Sequence, residues 1–179
     1  MKHGKIVVLV AGLAIVGMFG AGTSADDRDE NARTLKATLK GIEESPSISS
    51  TGHGTFRATI SEDGTSIHYT LTYADLEGDV QQAHIHLGQR SVGGGIAAFL
   101  CTNLGNGSAT TPLCPGPRAG TVSGTITAAE VIGPSGQGLA PGEFAELLRA
   151  IDESVAYANV HSAKHTGGEI RGQIGVDGD

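Results

Sequence analysis

The chain has 179 residues, a formal net charge of -7 and 39% hydrophobic residues, with only 4% aromatic residues and no tryptophan. This length suits one domain with a sizeable hydrophobic core. The acidic balance argues against a nucleic-acid partner, because such partners require a positively charged surface.

The first 25 residues have the pattern of an export signal. Lys2 and Lys5 precede the apolar run 6–19, and the small residues 23–25 come before an acidic stretch. The apolar run is short for a membrane span, so we expect cleavage after residue 25. Residues 26–33 are predicted to form a flexible lead-in. The mature chain is predicted to be secreted or periplasmic, without a stable membrane anchor.

Two cysteines, Cys101 and Cys114, flank a stretch rich in glycine, proline and asparagine. An exported protein meets oxidising conditions, and this pair lacks the Cys-x-x-Cys spacing of redox motifs. We therefore predict a structural disulfide that closes the loop and contributes about 3 kcal/mol to stability in the loop-entropy model.

Alternation of apolar and polar residues predicts about eight short strands. Three segments, 35–40, 55–60 and 67–73, alternate strictly, which is typical of strands with one buried and one solvated face. Further strands are predicted at 80–87, 96–101, 120–126, 155–161 and 169–176. Glycine-rich turns separate them. The pattern indicates an all-β fold, an antiparallel β-sandwich with a Greek-key-like topology.

One or two short helices are predicted between the late strands. Thr127 and Glu130 have the spacing of a capping box and should begin a short helical turn. Apolar residues recur with helical spacing in 143–152, which predicts an amphipathic helix packed on the sheet.

The tripeptide His84-Ile85-His86 lies in the predicted strand 80–87. Residues two apart in a strand point the same way about 7 Å apart, so the two histidines share the face opposite Ile85. His161 lies on the non-core face of a later strand, and His165 follows as a candidate fourth ligand. Imidazoles in this number suit copper or zinc better than calcium. The alternative is an ordinary solvated face, and the sequence leaves open whether these strands adjoin.

The last two predicted strands are expected to form a hairpin, since a short loop joins them. Its polar face would bring Asn159 and His161 next to Glu169 and Arg171. No serine lies in a Gly-x-Ser-x-Gly motif, and no pair of carboxylates stands out for acid–base chemistry. We therefore assign no catalytic residue.

Several segments together resemble the CHRD (chordin) domain family. They are 83–88 (AHIHLG), 124–127 (GTIT) with 142–144 (GEF), 159–161 (NVH) and 167–174 (GGEIRGQI). The resemblance assigns residues 34–177 to one domain and implies an extracellular β-sandwich module. Such modules occur singly in exported microbial proteins and repeated in animal chordin, which binds growth factors of the bone morphogenetic class. This chain has one copy and lacks chordin's cysteine-rich repeats. The expected partner is therefore an unidentified extracellular protein or small ligand.

The order of histidines, cysteine and arginine is also similar to that of copper/zinc superoxide dismutase. That resemblance would make His84, His86 and His161 copper ligands and Arg171 the group that steers the anion. The chain departs from that family because it has no histidine-rich zinc loop, no counterpart of the bridging histidine, and both cysteines in one loop. We therefore predict a secreted binding or structural module with a histidine metal site. A copper-dependent, dismutase-like enzyme is the alternative.

Overall fold

A computed structural model of the chain describes residues 1–2, 4 and 33–176. Nearly all of the predicted signal peptide and of the predicted lead-in therefore lies outside the described residues. Within the described part of the chain, no helix is both long enough and apolar enough to cross a membrane.

The described residues form nine strands and one α-helix. The strands are β1 (Thr34–Lys40), β2 (His53–Ile60), β3 (Ile67–Ala74), β4 (Val80–Leu87), β5 (Gly95–Thr102), β6 (Gly120–Ile126), β7 (Ala156–Ser162), β8 (Ile170–Gln173) and β9 (Gly175–Val176). The helix is α1 (Phe144–Asp152), and short 3-10 turns occur at Gly41–Glu43, Ala128–Glu130 and Ser135–Gln137. The predicted last strand is thus divided into β8 and β9.

All strand pairs are antiparallel and belong to one sheet with the order β5-β4-β7-β8-β1-β2-β3-β6, while β9 pairs with β1. The sheet curls into a nearly closed barrel. The Tyr69 hydroxyl of β3 donates a hydrogen bond of 2.6 Å to the Leu100 carbonyl of the edge strand β5. The predicted all-β antiparallel class is confirmed.

The hydrophobic core fills the inside of this curled sheet. Exposed and buried residues alternate along β1, β2 and β3, as their sequences predict, with Phe56 and Leu71 among the fully buried side chains. Helix α1 contributes Leu147 and Ile151 to the same core, which confirms the predicted amphipathic helix.

Two further local predictions are confirmed. Cys101 and Cys114 form a disulfide. Thr127 and Glu130 form the reciprocal hydrogen bonds of a capping box at the start of the turn Ala128–Glu130.

Strands β4, β7 and β8 depart from the predicted alternation because both of their faces are covered. Every residue of β7 is buried, and so are His84 and His86 of β4, whereas Gln81 and Gln82 are partly exposed. Three residues outside the strands, Glu44, Gly94 and Thr166, form hydrogen bonds with side chains on the face that points away from the core. The alternative of an ordinary solvated face, which the sequence left open, therefore does not hold for the histidines of β4 and β7.

Candidate metal centre

Strand pairing brings the three histidines of separate segments together. β4 and β7 are neighbours in the sheet, with Gln82 opposite His161 and His84 opposite Asn159. His84 and His161 are thus diagonal neighbours on one face of an antiparallel pair, within reach of long side chains. His86 lies one step further along β4 on the same face. This pairing was the point that the sequence left open.

His84, His86 and His161 form the histidine cluster. One ring nitrogen of each lies within 4.8 Å of the others. The shortest separation is 3.1 Å, between His84 Nδ1 and His161 Nε2, which form a hydrogen bond with each other. Two ligands of a single ion at metal–nitrogen distances of about 2.0–2.1 Å are separated by about 3–3.4 Å, so this spacing suits a shared ion. The side chains are buried, with exposed fractions of 0%, 7% and 7%.

Backbone carbonyls orient two of the three rings. His86 Nδ1 lies 3.0 Å from the Gly94 carbonyl, and His161 Nδ1 lies 3.0 Å from the Thr166 carbonyl. A carbonyl oxygen only accepts hydrogen bonds, so each of these Nδ1 atoms has the proton and each Nε2 has the lone pair. Metal-binding histidines commonly have this arrangement.

Unpartnered nitrogens lie within the histidine cluster. Among the described residues, no hydrogen-bond donor or acceptor reaches the buried Nε2 of His84 or His86. Leaving such a buried polar atom unpaired costs about 1–3 kcal/mol. A metal ion bound by the cluster would remove this cost for the nitrogen atoms that coordinate it.

Burial keeps the three imidazoles neutral. It lowers the pKa of His84 to about 2, with further lowering from the neighbouring His161 and His86, and it lowers the pKa of His86 to about 4. Burial also lowers the pKa of His161, against the opposing effect of its hydrogen bond to Thr166. Neutral imidazole is the form that binds metal ions. At pH 7, protons therefore compete little with a metal ion for these three nitrogens.

Aromatic and cationic side chains pack around the cluster. The ring of Phe99 meets that of His84 edge-on, with 4.5 Å between centroids. Tyr157 stacks on His86 with an interplanar angle of 6°, and the Arg171 guanidinium carbon lies 3.5 Å from the centroid of the same tyrosine. Because β7 lies between β4 and β8, Tyr157 separates Arg171 from His86.

Arg171 is buried and its hydrogen bonds go to the loop between β4 and β5. It donates to the carbonyls of Val92 and Gln89 at 3.0 and 3.2 Å. The predicted hairpin is present, with Asn159 paired opposite Arg171. Arg171 therefore fastens the covering loop and does not point at the histidines.

Two buried carboxyl groups complete the polar layer. Glu44 accepts a hydrogen bond of 2.7 Å from the Asn159 amide, and burial raises its pKa to about 7, although Asn159 and Arg171 oppose the shift. Burial acts to raise the pKa of Glu169 as well, but hydrogen bonds from Ser162, Ser50 and the backbone hold it below the usual value.

His165 does not join the cluster. Its Nε2 lies 3.5 Å from a carboxylate oxygen of Glu77, and it is absent from the set of described residues whose ligand atoms converge. The loop after β7 turns His165 away while its Thr166 carbonyl turns toward His161. Of the four candidate ligands, the structure thus brings three together and leaves His165 outside the group.

Sequence patterns did not identify Glu44, Gly94 and Thr166, which act on the site from loops. Loop residues have no periodicity that predicts where they fold back. Only the glycines of 93–95 stood out, and they are equally typical of any strand connection.

Comparison with protein-family models matches residues 35–174 to the CHRD domain. No curated protein matches the chain, and no solved structure does. The matched segment begins in β1 and ends just after β8, so it includes every histidine of the cluster. The chain therefore belongs to the CHRD domain family.

Proposed function

We propose that this protein is an exported metal-binding module whose histidine cluster holds one copper or zinc ion. The observation that carries the proposal is the convergence of three buried imidazoles, with one ring nitrogen of each within 4.8 Å of the others. Three nitrogen donors and no carboxylate are typical ligands of copper and zinc, and unsuited to calcium or magnesium.

The protein environment supports this function in three ways. The pKa of each histidine is lowered, so the ligands are neutral at pH 7. Carbonyls hold two rings in the tautomer that presents Nε2. Three protein ligands leave one position of a tetrahedral ion open for a water molecule or a ligand from a partner.

Export is part of the proposal and is supported by the N-terminal sequence together with the disulfide. Disulfides persist in oxidising compartments and are rare in the cytosol. The extracellular partner, a protein or a small ligand, would bind near the covered face of β4 and β7.

The dismutase-like alternative finds less support. In that comparison Arg171 would steer an anion toward the metal ion. Here its guanidinium is occupied by two carbonyls and the ring of Tyr157, which lies between it and His86. A redox enzyme of this kind would need another cationic group directed at the metal ion.

Metal titration of the purified, chelator-treated protein tests the proposal. We expect one equivalent of Cu²⁺ or Zn²⁺ to bind by calorimetry, with nitrogen hyperfine coupling in the Cu²⁺ electron paramagnetic resonance spectrum. His84→Gln and His161→Gln should each weaken binding by at least about 10-fold, since each removes one of three ligands.

Two other histidines supply matched controls. His68→Gln on the exposed face of β3 and His165→Gln beside the cluster should leave the affinity unchanged. Circular dichroism of each variant establishes that it is folded. No stoichiometric binding to the folded wild-type protein, or equal losses in His68→Gln and His84→Gln, would contradict the proposal.

A further inference from the structure

The outer surface of β1, β2, β3 and β6 has an unusual composition. Apart from Ala74 at the end of β3, their outward side chains are all threonine, serine, lysine, arginine or histidine, and none is acidic. We call this surface the basic threonine face. Its residues are Thr34, Lys36, Thr38, Lys40, His53, Thr55, Arg57, Thr59, His68, Thr70, Thr72, Thr121, Ser123 and Thr125.

Strand register arranges the hydroxyl groups in rows across the sheet. Thr55, Thr72 and Thr121 lie side by side, and Thr70 lies beside Ser123 in the next row. Neighbouring hydroxyls bond to each other, at 2.8 Å between Thr70 and Ser123. Within a row, neighbouring strands are about 4.8 Å apart. Successive rows are about 7 Å apart along the strands. Each hydroxyl still has donor or acceptor capacity for a ligand.

Cations are interspersed among these hydroxyls. Arg57 lies opposite Lys36 on β1 and Thr70 on β3, and Lys40 lies opposite His53. Neither Arg57 nor Lys40 forms an ion pair with a carboxylate of the described residues, whereas His53 lies 3.7 Å from Asp75.

The charge of this surface is opposite to that of the protein. The chain has a net charge of -7, yet the basic threonine face has only positive or neutral side chains. Part of it is concave: an open depression of about 660 Å³ is lined by Arg57, His68 and the hydroxyls between them. The positive side chains of this face would therefore attract an anionic ligand.

We propose that the basic threonine face binds a carboxylate-bearing polysaccharide. Sugar hydroxyls are both donors and acceptors, as are the hydroxyls of threonine and serine, and uronate carboxylates complement Arg57 and Lys40. Threonine is stiff at χ1, so little side-chain entropy is lost on binding. The ligand surface is on the opposite half of the sheet from the histidine cluster and does not require a metal ion.

Other anionic partners fit this surface less well. Single-stranded nucleic acid requires aromatic rings for base stacking, and the face has none. Insertion into an anionic membrane requires large apolar side chains, and the outward positions of this face have none. Protein interfaces are anchored by tryptophan, tyrosine and arginine, of which only Arg57 is present.

Binding to alginate, a linear chain of uronate sugars, tests the proposal at low ionic strength. We expect saturable binding by fluorescence anisotropy of labelled alginate oligosaccharides, and none to neutral dextran oligosaccharides of the same length. The double variant Arg57→Glu, Lys40→Glu should weaken binding by at least about 10-fold. Thr70→Val with Thr72→Val should weaken it several-fold while the charge stays the same.

Arg149→Glu on α1 is the matched control, because it reverses an exposed charge away from this face. It should bind alginate as the wild-type protein does. The proposal is overturned if dextran binds equally well, if duplex DNA or phosphatidylglycerol vesicles bind as tightly as alginate, or if Arg149→Glu weakens binding as much as the Arg57 and Lys40 reversal. Unchanged binding by a folded Arg57→Glu, Lys40→Glu variant also overturns it.

Discussion

Glu44 and Asn159 illustrate how single buried residues define the layer around the histidines. The Glu44 side chain reaches the amide of Asn159 from a turn more than a hundred residues away in sequence. Gly168 passes so close that a Cβ there would lie 2.6 Å from Asn159 Oδ1. Arg171 contributes a favourable charge to Glu44, but burial outweighs it and raises the pKa of the carboxyl group to about 7.

This raised pKa predicts a pH-dependent effect of Glu44→Gln. The folded pKa of about 7 exceeds the reference value of 4.5, so ionisation costs stability as the pH rises between those two values. At pH 8 the metal-free variant should be more stable than the wild-type protein by on the order of 2–3 kcal/mol, and at pH 4 the two should be nearly equal. Urea unfolding across this pH range measures the difference.

Glu153→Gln, at an exposed position after α1, is the control for the chemical change. A stabilisation by Glu44→Gln that is equally large at pH 4 and pH 8 would show that folding does not raise the pKa of Glu44, and would contradict the prediction.

At the scale of elements, the site depends on the loop between β4 and β5. This loop accepts hydrogen bonds from Arg171, and its last residues bond to both His86 and Tyr157 through Gly94. Gly94 approaches the end of β4 closely: a Cβ there would lie 1.8 Å from the Leu87 carbonyl oxygen. The neighbouring Gly93 has open space around it.

We therefore expect Gly94→Ala to weaken metal binding although Gly94 is not a ligand. The added methyl group must displace the loop, and the carbonyl that orients His86 moves with it. Loss of a hydrogen bond that orients a metal-binding histidine typically lowers metal affinity about 10- to 100-fold. Gly93→Ala should change the affinity by no more than about 2-fold, as surface substitutions do. Calorimetric titration of both variants with Cu²⁺ compares them, and equal affinities would exclude a role for the loop.

At the scale of the whole molecule, the barrel is nearly closed by contacts of β3 with the edge strand β5 and with the long β5–β6 connection. Tyr69 on β3 bonds to Leu100 on β5, and Tyr73 bonds to the Pro115 carbonyl in the connection. The Cys101–Cys114 disulfide ties that connection to the edge strand. The buried tyrosines have raised pKa values because burial disfavours the phenolate, so these bonds persist over the physiological pH range.

Removal of the disulfide should destabilise the fold without removing the metal site. The bridge joins residues separated by 13 positions, which corresponds to about 3 kcal/mol of stability in the loop-entropy model. Cys101→Ser with Cys114→Ser should lower the free energy of unfolding by about this amount and retain one bound metal ion. Denaturant unfolding and metal analysis of the same preparation test both parts. Unchanged stability would mean that the connection is held by its other contacts alone.

The sequence by itself determined the strands, the helix, the capping box, the disulfide and the side of each strand on which the histidines lie. These features are local. Side-chain periodicity sets which residues share a face of a strand or helix. The capping box joins Thr127 to Glu130 and the disulfide joins Cys101 to Cys114, and both pairs are close in sequence. Family membership was also visible in the motifs around His84 and His161.

Only the tertiary structure decided that β4 pairs with β7, that His165 turns away, and that loops bury the polar face. These outcomes depend on contacts between residues far apart in the chain, which no local pattern encodes. Periodicity distinguishes the core-facing side from the other side, but it does not say whether water or a loop covers the second one. Cover by loops is what buries the three imidazoles and keeps them neutral; on a solvated strand they would be ordinary surface histidines.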